Sequence, residues 1–186
     1  MLVRPISLVL GALASTMVAG AAVATPASAE TLAQGRVVAR GGVIARSLPT
    51  TASTDFGTYA EGERVTLLCK LRGSTVGGNS LWYRTPSEGS TWVSARYVEN
   101  IGAPPAYCGS SARYTGRTTA TLTRREAPTT RTAAHGTVAS GAEITIICKW
   151  EGDTVAGNSL WYHLTDGRWV AARYVANVGA APELCL

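Results

Sequence analysis

Apolar residues recur at every second position in several short runs of the chain. In "RVTLLCK" (64–70) Val65, Leu67 and Cys69 fall on one side, and in "EITIICK" (143–149) Ile144, Ile146 and Cys148 do the same. Alternation over four to eight residues predicts half-buried β-strands. "SLWYHL" (159–164) places Leu160, Tyr162 and Leu164 on one side and Trp161 and His163 on the other, because successive strand side chains point to opposite faces. Asp166-Gly167 predicts a hairpin from this strand into "RWVAARYV" (168–175), Asp-Gly being a strong signal for a tight hairpin turn. Gly78-Asn79 and Gly157-Asn158 predict turns ahead of the Trp-bearing strands, since both residue types tolerate positive φ. No stretch beyond residue 30 carries a helical period.

The pattern occurs twice. Residues 46–70 align without gaps on 125–149, and "GSTVGGNSLWYR" lies over "GDTVAGNSLWYH", both at an offset of 79. "WVSARYVENIGAPPAYC" then lies over "WVAARYVANVGAAPELC" at 77, because the connection "TPSEGST" in the first copy is two residues longer than its counterpart. A change of two confined to a hairpin loop preserves the facing of both flanking strands. About half of the compared positions are identical, which marks two copies of one structural unit. Copy one spans 37–108, copy two 116–186, and the short polar stretch 109–115 is the linker.

Ahead of the copies lies "MLVRPISLVLGALASTMVAGAAVATPASAE", with Arg4 in a short basic region, a Gly- and Ala-softened apolar run, and Ala27-Ser28-Ala29 at its end. This is the form of a cleaved signal peptide, residues 1–29. The run approaches spanning length, so an uncleaved anchor is the alternative. Small residues and the small-x-small site favour cleavage and secretion, giving an extracellular protein of about 157 residues, with affinity for the cell wall as a further expectation. Once the leader is removed no membrane association is expected.

The four cysteines, Cys69, Cys108, Cys148 and Cys185, all follow the leader. An even count in an exported protein favours disulfides, and four cysteines allow three pairings. Each copy holds one cysteine at the end of an apolar run and one in its tail, so the duplication selects Cys69–Cys108 and Cys148–Cys185. Closing a loop of about 40 residues adds roughly 4 kcal/mol in the chain-entropy model, a large share of a small domain's stability. Short strands, tight turns and about 70 residues per unit point to an all-β chain of two tandem small barrels, one disulfide each.

The motifs "VIARSLPT", "GTYAEGERVTLLCK", "GNSLWYR" and "TWVSARYV", repeated in order as "LTRREAPT", "GTVASGAEITIICK", "GNSLWYH" and "RWVAARYV", resemble the bacterial SH3-type (SH3b) domain, in the secreted, disulfide-bearing form of actinobacteria. The resemblance covers nearly all of both copies and is poorest where Thr123 and Arg124 replace Ile44 and Ala45. It implies SH3-like barrels that bind cell-wall peptides, peptidoglycan-associated ligands or other proteins.

Five Trp and seven Tyr stand against one Phe, so nearly every aromatic carries a polar handle. Tyr83 and Tyr162 share a face with leucines and are expected in the core; Trp82 and Trp161 face the other way. The resemblance implies peptide grooves formed by Trp82 with Tyr97 and by Trp161 with Tyr174; the alternative is that these rings only shield a small barrel. Trp92 and Trp169 are expected to fill the core, and Trp150 has no aromatic counterpart, Leu71 standing at its position.

Chemistry beyond binding has little to stand on. A Cys–His enzyme needs a free thiol beside a histidine, yet all four cysteines are accounted for. His135 and His163 align with Phe56 and Arg84 and are expected on the surface. Neither a catalytic residue, a metal site nor a cofactor is expected. The whole chain carries a formal charge of +5, and loss of Arg4 leaves +4, scattered with no basic run beyond Arg124-Arg125. Nucleic-acid binding normally needs a clustered basic face and is not expected. The expectation is a secreted, non-enzymatic, monomeric binding protein for cell-wall peptide or peptidoglycan, or else an interaction or inhibitor module for another exported protein.

Overall fold

A computed structural model describes residues 32–87 and 89–186; the expected signal peptide, 1–29, lies outside them. Copy one contains β1 (Ala33–Val37), β2 (Val43–Arg46), β3 (Asp55–Tyr59), β4 (Arg64–Leu67), β5 (Cys69–Val76), β6 (Asn79–Thr85), β7 (Thr91–Ser94) and β8 (Val98–Ile101). Copy two contains β9 (Tyr114–Thr118), β10 (Leu122–Arg125), β11 (Ala134–Val138), β12 (Glu143–Val155), β13 (Asn158–Leu164), β14 (Trp169–Ala171) and β15 (Val175–Val178). The helical pieces among the described residues are two single 3-10 turns, η1 (Ala95–Tyr97) and η2 (Ala172–Tyr174), in the repeated Ala-Arg-Tyr.

Copy two forms one curled sheet in the order β11-β10-β14-β13-β12-β9-β15. Copy one has the same order, divided into β3-β2-β7-β6-β5 and β4-β1-β8, because Leu68 interrupts the strand that runs unbroken as β12 in copy two. The first strands begin ahead of the boundaries that alignment suggests: β1 at Ala33 rather than 37, β9 at Tyr114 rather than 116. Each threads antiparallel between two others through a central glycine. A Cβ on Gly35 would stand 2.4 Å from Val98 Cγ1, and one on Gly116 2.5 Å from Val175 Cγ1, so the sheet closes where a side chain is missing.

Three apolar clusters fill the molecule. Val37, Val65, Leu67, Tyr83 and Val93 make the interior of copy one, and Leu122, Ile144, Ile146, Tyr162 and Leu164 that of copy two. The third cluster unites both copies through Leu71, Trp82, Trp92, Trp161, Trp169 and all four cysteines. The cysteines therefore do not share a face with the residues two before them, as strict alternation predicts. The ladder between β12 and β13 shifts between Ile146 and Cys148. One extra residue in a strand, Ile147 here and Leu68 in copy one, turns everything after it to the opposite face.

The disulfides join Cys69 to Cys108 and Cys148 to Cys185, with Cα–Cα distances of 5.0 and 5.1 Å. Each pins its copy's tail beside the long hairpin: Lys70 N donates to Ala106 O at 2.9 Å and Cys108 N to Lys70 O at 2.8 Å, a pattern repeated by Lys149 with Glu183 and Cys185.

The turns before the Trp strands place positive φ one position earlier than expected. Gly77 and Gly78 have φ of 53° and 83°, Ala156 and Gly157 46° and 81°. The asparagines instead accept a backbone N–H: Asn79 Oδ1 from Leu81 at 2.9 Å and Asn158 Oδ1 from Leu160 at 2.8 Å. Copy two thus holds an alanine in the left-handed region, which costs about 1 kcal/mol for a residue with a Cβ. Ala156→Gly, which restores the residue of copy one, is expected to raise stability by up to about 1 kcal/mol, read from urea unfolding; no gain would mean that the turn carries no such strain.

Candidate functional site

β6 and β13 carry the aromatic pairs, and the alternation read from sequence holds: Tyr83 and Tyr162 enter the barrel interiors while Trp82 and Trp161 face the shared cluster. That face is not open. Trp82 is 1% exposed and Trp161 2%. Trp82 Nε1 donates to Ser74 O and Trp161 Nε1 to Asp153 O, each at 2.8 Å. Over Trp82 the chain folds tightly enough that a Cβ on Gly73 would lie 2.1 Å from Pro49 O and 2.8 Å from Trp82 Cδ1. The two tryptophans expected as groove surfaces are thus largely packing residues, because the other copy and the Pro49 and Pro128 segments cover a side that periodicity leaves uncovered.

In copy one a shallow groove of about 350 Å³ remains, and Trp82 and Tyr97 both line it. Trp82 lies almost wholly buried beneath it, and Tyr97, 37% exposed, forms a wall on η1. Arg40, Ile44, Arg46 and Val76 complete it. η1 is held by Ser94, whose Oγ accepts from Arg96 N at 3.3 Å, and by Val38 N donating to Tyr97 O at 3.0 Å. Arg46 Nη1 donates to Ser53 O at 3.1 Å, which fixes its head at the rim.

The second copy lacks several of these parts. Its loop between the first two strands is Thr119-Ala120-Thr121, three residues where copy one has Val38–Gly42 with Arg40. Thr123 stands at the position of Ile44 and Ala171 at that of Ser94, so η2 has no side-chain cap. Tyr174 packs against the copy-two interior instead of standing open like Tyr97. Charge differs as well. The three arginine–carboxylate pairs among the described residues, Arg124–Asp166, Arg131–Asp153 and Arg168–Glu126, lie within copy two, as does the His135–Glu126 contact. The copy-one groove therefore has a cationic rim over an apolar base. Its arginine loop was not singled out by sequence; the signal lay in the two-residue difference between the copies ahead of β2 and β10.

The histidines also divide. His135 is at the surface, its Nε2 2.8 Å from Glu126 Oε1. His163 is not: it is 4% exposed and stacks on Trp169 with centroids 4.6 Å apart. Burial is the largest influence and lowers its pKa from 6.5 to about 4. Asp166 and the Gly167 backbone pull upward, and Arg72 adds to the lowering. Neither ring nitrogen meets a partner at hydrogen-bond geometry among the described residues. The surface expectation fails because the β13 face that carries Trp161 and His163 is the one on which the copies meet.

No protein-family model matches the chain, and no curated protein matches it. Among solved structures it is similar to the endolysin LysPBC5 CBD, at 12% identity over 85% of this chain and 100% of that one, TM-score 0.30. It is also similar to NlpC2 and NlpC1 from Trichomonas vaginalis, at 14% and 12% identity over 80% of this chain, with TM-scores of 0.27 and 0.26. The chain spans about half the length of each NlpC chain, 49% and 47%.

Proposed function

We propose that the protein is a secreted, non-catalytic binding protein whose two copies are SH3b-type barrels, and that copy one holds cell-wall peptide or peptidoglycan-associated material. The observation that carries this reading is the meeting of Tyr97, Ile44 and Arg40 around one shallow groove above the buried Trp82. An aromatic wall with an apolar base accepts the flat faces of peptide or sugar units, and the arginine rim attracts an anionic polymer in a salt-dependent way. All four cysteines are held in disulfides, which suits an oxidising compartment and leaves no thiol nucleophile. Copy two serves as a structural support for copy one.

The test is retention on purified wall fragments. Wild type is expected to sediment with them and to be released by salt. Tyr97→Ala and Arg40→Ala should weaken retention several-fold, while Tyr174→Ala changes it little. Equal losses from Tyr97→Ala and Tyr174→Ala would show that both copies bind. No retention of wild type would reject wall binding in favour of another exported protein as partner.

A further inference from the structure

We propose that the cleft between the two copies is a second binding site, for a peptide ending in a free carboxylate, centred on Arg84 and Trp150. The cleft holds about 620 Å³ and shares no lining residue with the copy-one groove. Its size lies within the range of small-ligand sites, roughly 300–1,000 Å³.

Two residues without like counterparts in the other copy build it. Trp150 stands where copy one has Leu71, and Arg84 where copy two has His163. Trp150 is held edge-on against Trp92, centroids 5.6 Å apart, and the Arg84 guanidinium lies 5.2 Å from the Trp150 ring centre. Arg84 Nη2 donates to Ser90 Oγ at 2.8 Å, while its Nε is buried and unpartnered. Among the described residues no carboxylate lies within ion-pair distance of Arg84. Burial lowers its pKa. Of the other charged side chains in the lining, Asp153 is bound to Arg131 at 3.2 Å and accepts from Thr130 N at 3.2 Å, and Glu151 stands exposed. Among the described residues the lining cation without an ion-pair partner is therefore Arg84, and a guanidinium fork meets a carboxylate in bidentate fashion.

The walls select what else the ligand carries. Trp150, Leu48 and Leu184 offer apolar surface, and Ser47, Ser90 and Ser159 offer hydroxyls, a mixture that suits a peptide's small side chains and amide groups better than a hydrocarbon tail or a bare anion. With the copies exchanged, the corresponding cleft is about half the size and is lined by no aromatic residue. Arg72, Gly73 and Ser80 face Thr165, Asp166 and Gly167 across about 330 Å³. Arg72 crosses so close to Gly167 that a Cβ there would lie 2.5 Å from Arg72 Cδ, and the neutral His163 supplies no cation. One frame, used twice, sets a tryptophan beside an arginine in the inter-copy cleft on one side only.

Calorimetric titration of the secreted protein with acetyl-Lys-Ala-Ala and with its C-terminal amide tests the site. The acid is expected to bind at least about tenfold more tightly, as a charged hydrogen-bond pair contributes. Arg84→Gln should erase the preference for the acid, Arg84→Lys should keep part of it, and Trp150→Leu should weaken both peptides. Tyr97→Ala should change neither, which separates this cleft from the groove. Because Arg84→Gln also removes packing over Trp150, melting of each variant is followed; a folded variant that still prefers the acid overturns the proposal. So does equal binding of acid and amide, or no binding of either at millimolar concentration.

Discussion

Trp82→Ala and Trp161→Ala are each expected to destabilise the protein by about 3–5 kcal/mol, as much as Tyr83→Ala or Tyr162→Ala. Both indoles are almost wholly buried and both donate to a backbone carbonyl, so truncation removes a large apolar surface and orphans Ser74 O or Asp153 O. The residual cavity is not expected to collapse. Gly73 and Gly152 already bring the chain against the Pro49 and Pro128 oxygens, with no slack to move inward. Urea denaturation of the four variants decides the matter. Native-like stability of Trp82→Ala with lost wall binding would make the ring a ligand surface rather than a packing residue.

His163 is expected to make stability fall on acidification by about 3 kcal/mol. The folded pKa of about 4 lies below the ordinary 6.5, so between these values the unfolded chain binds a proton that the folded one refuses. The contribution is fully present above pH 6.5 and is lost progressively as the pH falls towards 4. A shift of this size corresponds to about 3 kcal/mol. His163→Phe keeps a flat ring against Trp169 and removes the titration. The difference between wild type and variant, from urea midpoints at pH 7, 5.5 and 4, isolates this residue from the carboxylates. Parallel curves would mean that His163 protonates freely in the folded state.

Much of this was legible in the chain itself. The duplication set the disulfide pairing, and the alternation in "SLWYHL" sorted Tyr162 from Trp161 correctly. What periodicity does not carry is what covers a face, which is why Trp82, Trp161 and His163 were expected nearer to solvent than they lie. The single-residue bulges at Leu68 and Ile147 were hidden because both are apolar and blend into the run. β1 and β9 were hidden because "AQGRV" and "YTGRT" contribute closeness at a glycine rather than alternating bulk. The inter-copy cleft did have a signal: Leu71 against Trp150 and Arg84 against His163 are mismatches in otherwise well-matched strands, and they fall where the copies touch.

The apolar cluster that unites the copies has a consequence for how the chain comes apart. Trp92 leans on Trp150, and Trp169 Nε1 donates to Arg72 O across the boundary at 3.3 Å. Each copy has an interior of its own, but the tryptophan-rich cluster is finished only by both together, so melting should appear as one concerted transition instead of two. A half expressed alone would present a tryptophan-rich wound to water. Since the two halves are near-duplicates, its natural remedy is another molecule of itself, and the tandem gene product resembles a homodimer whose protomers have been sewn together and allowed to diverge.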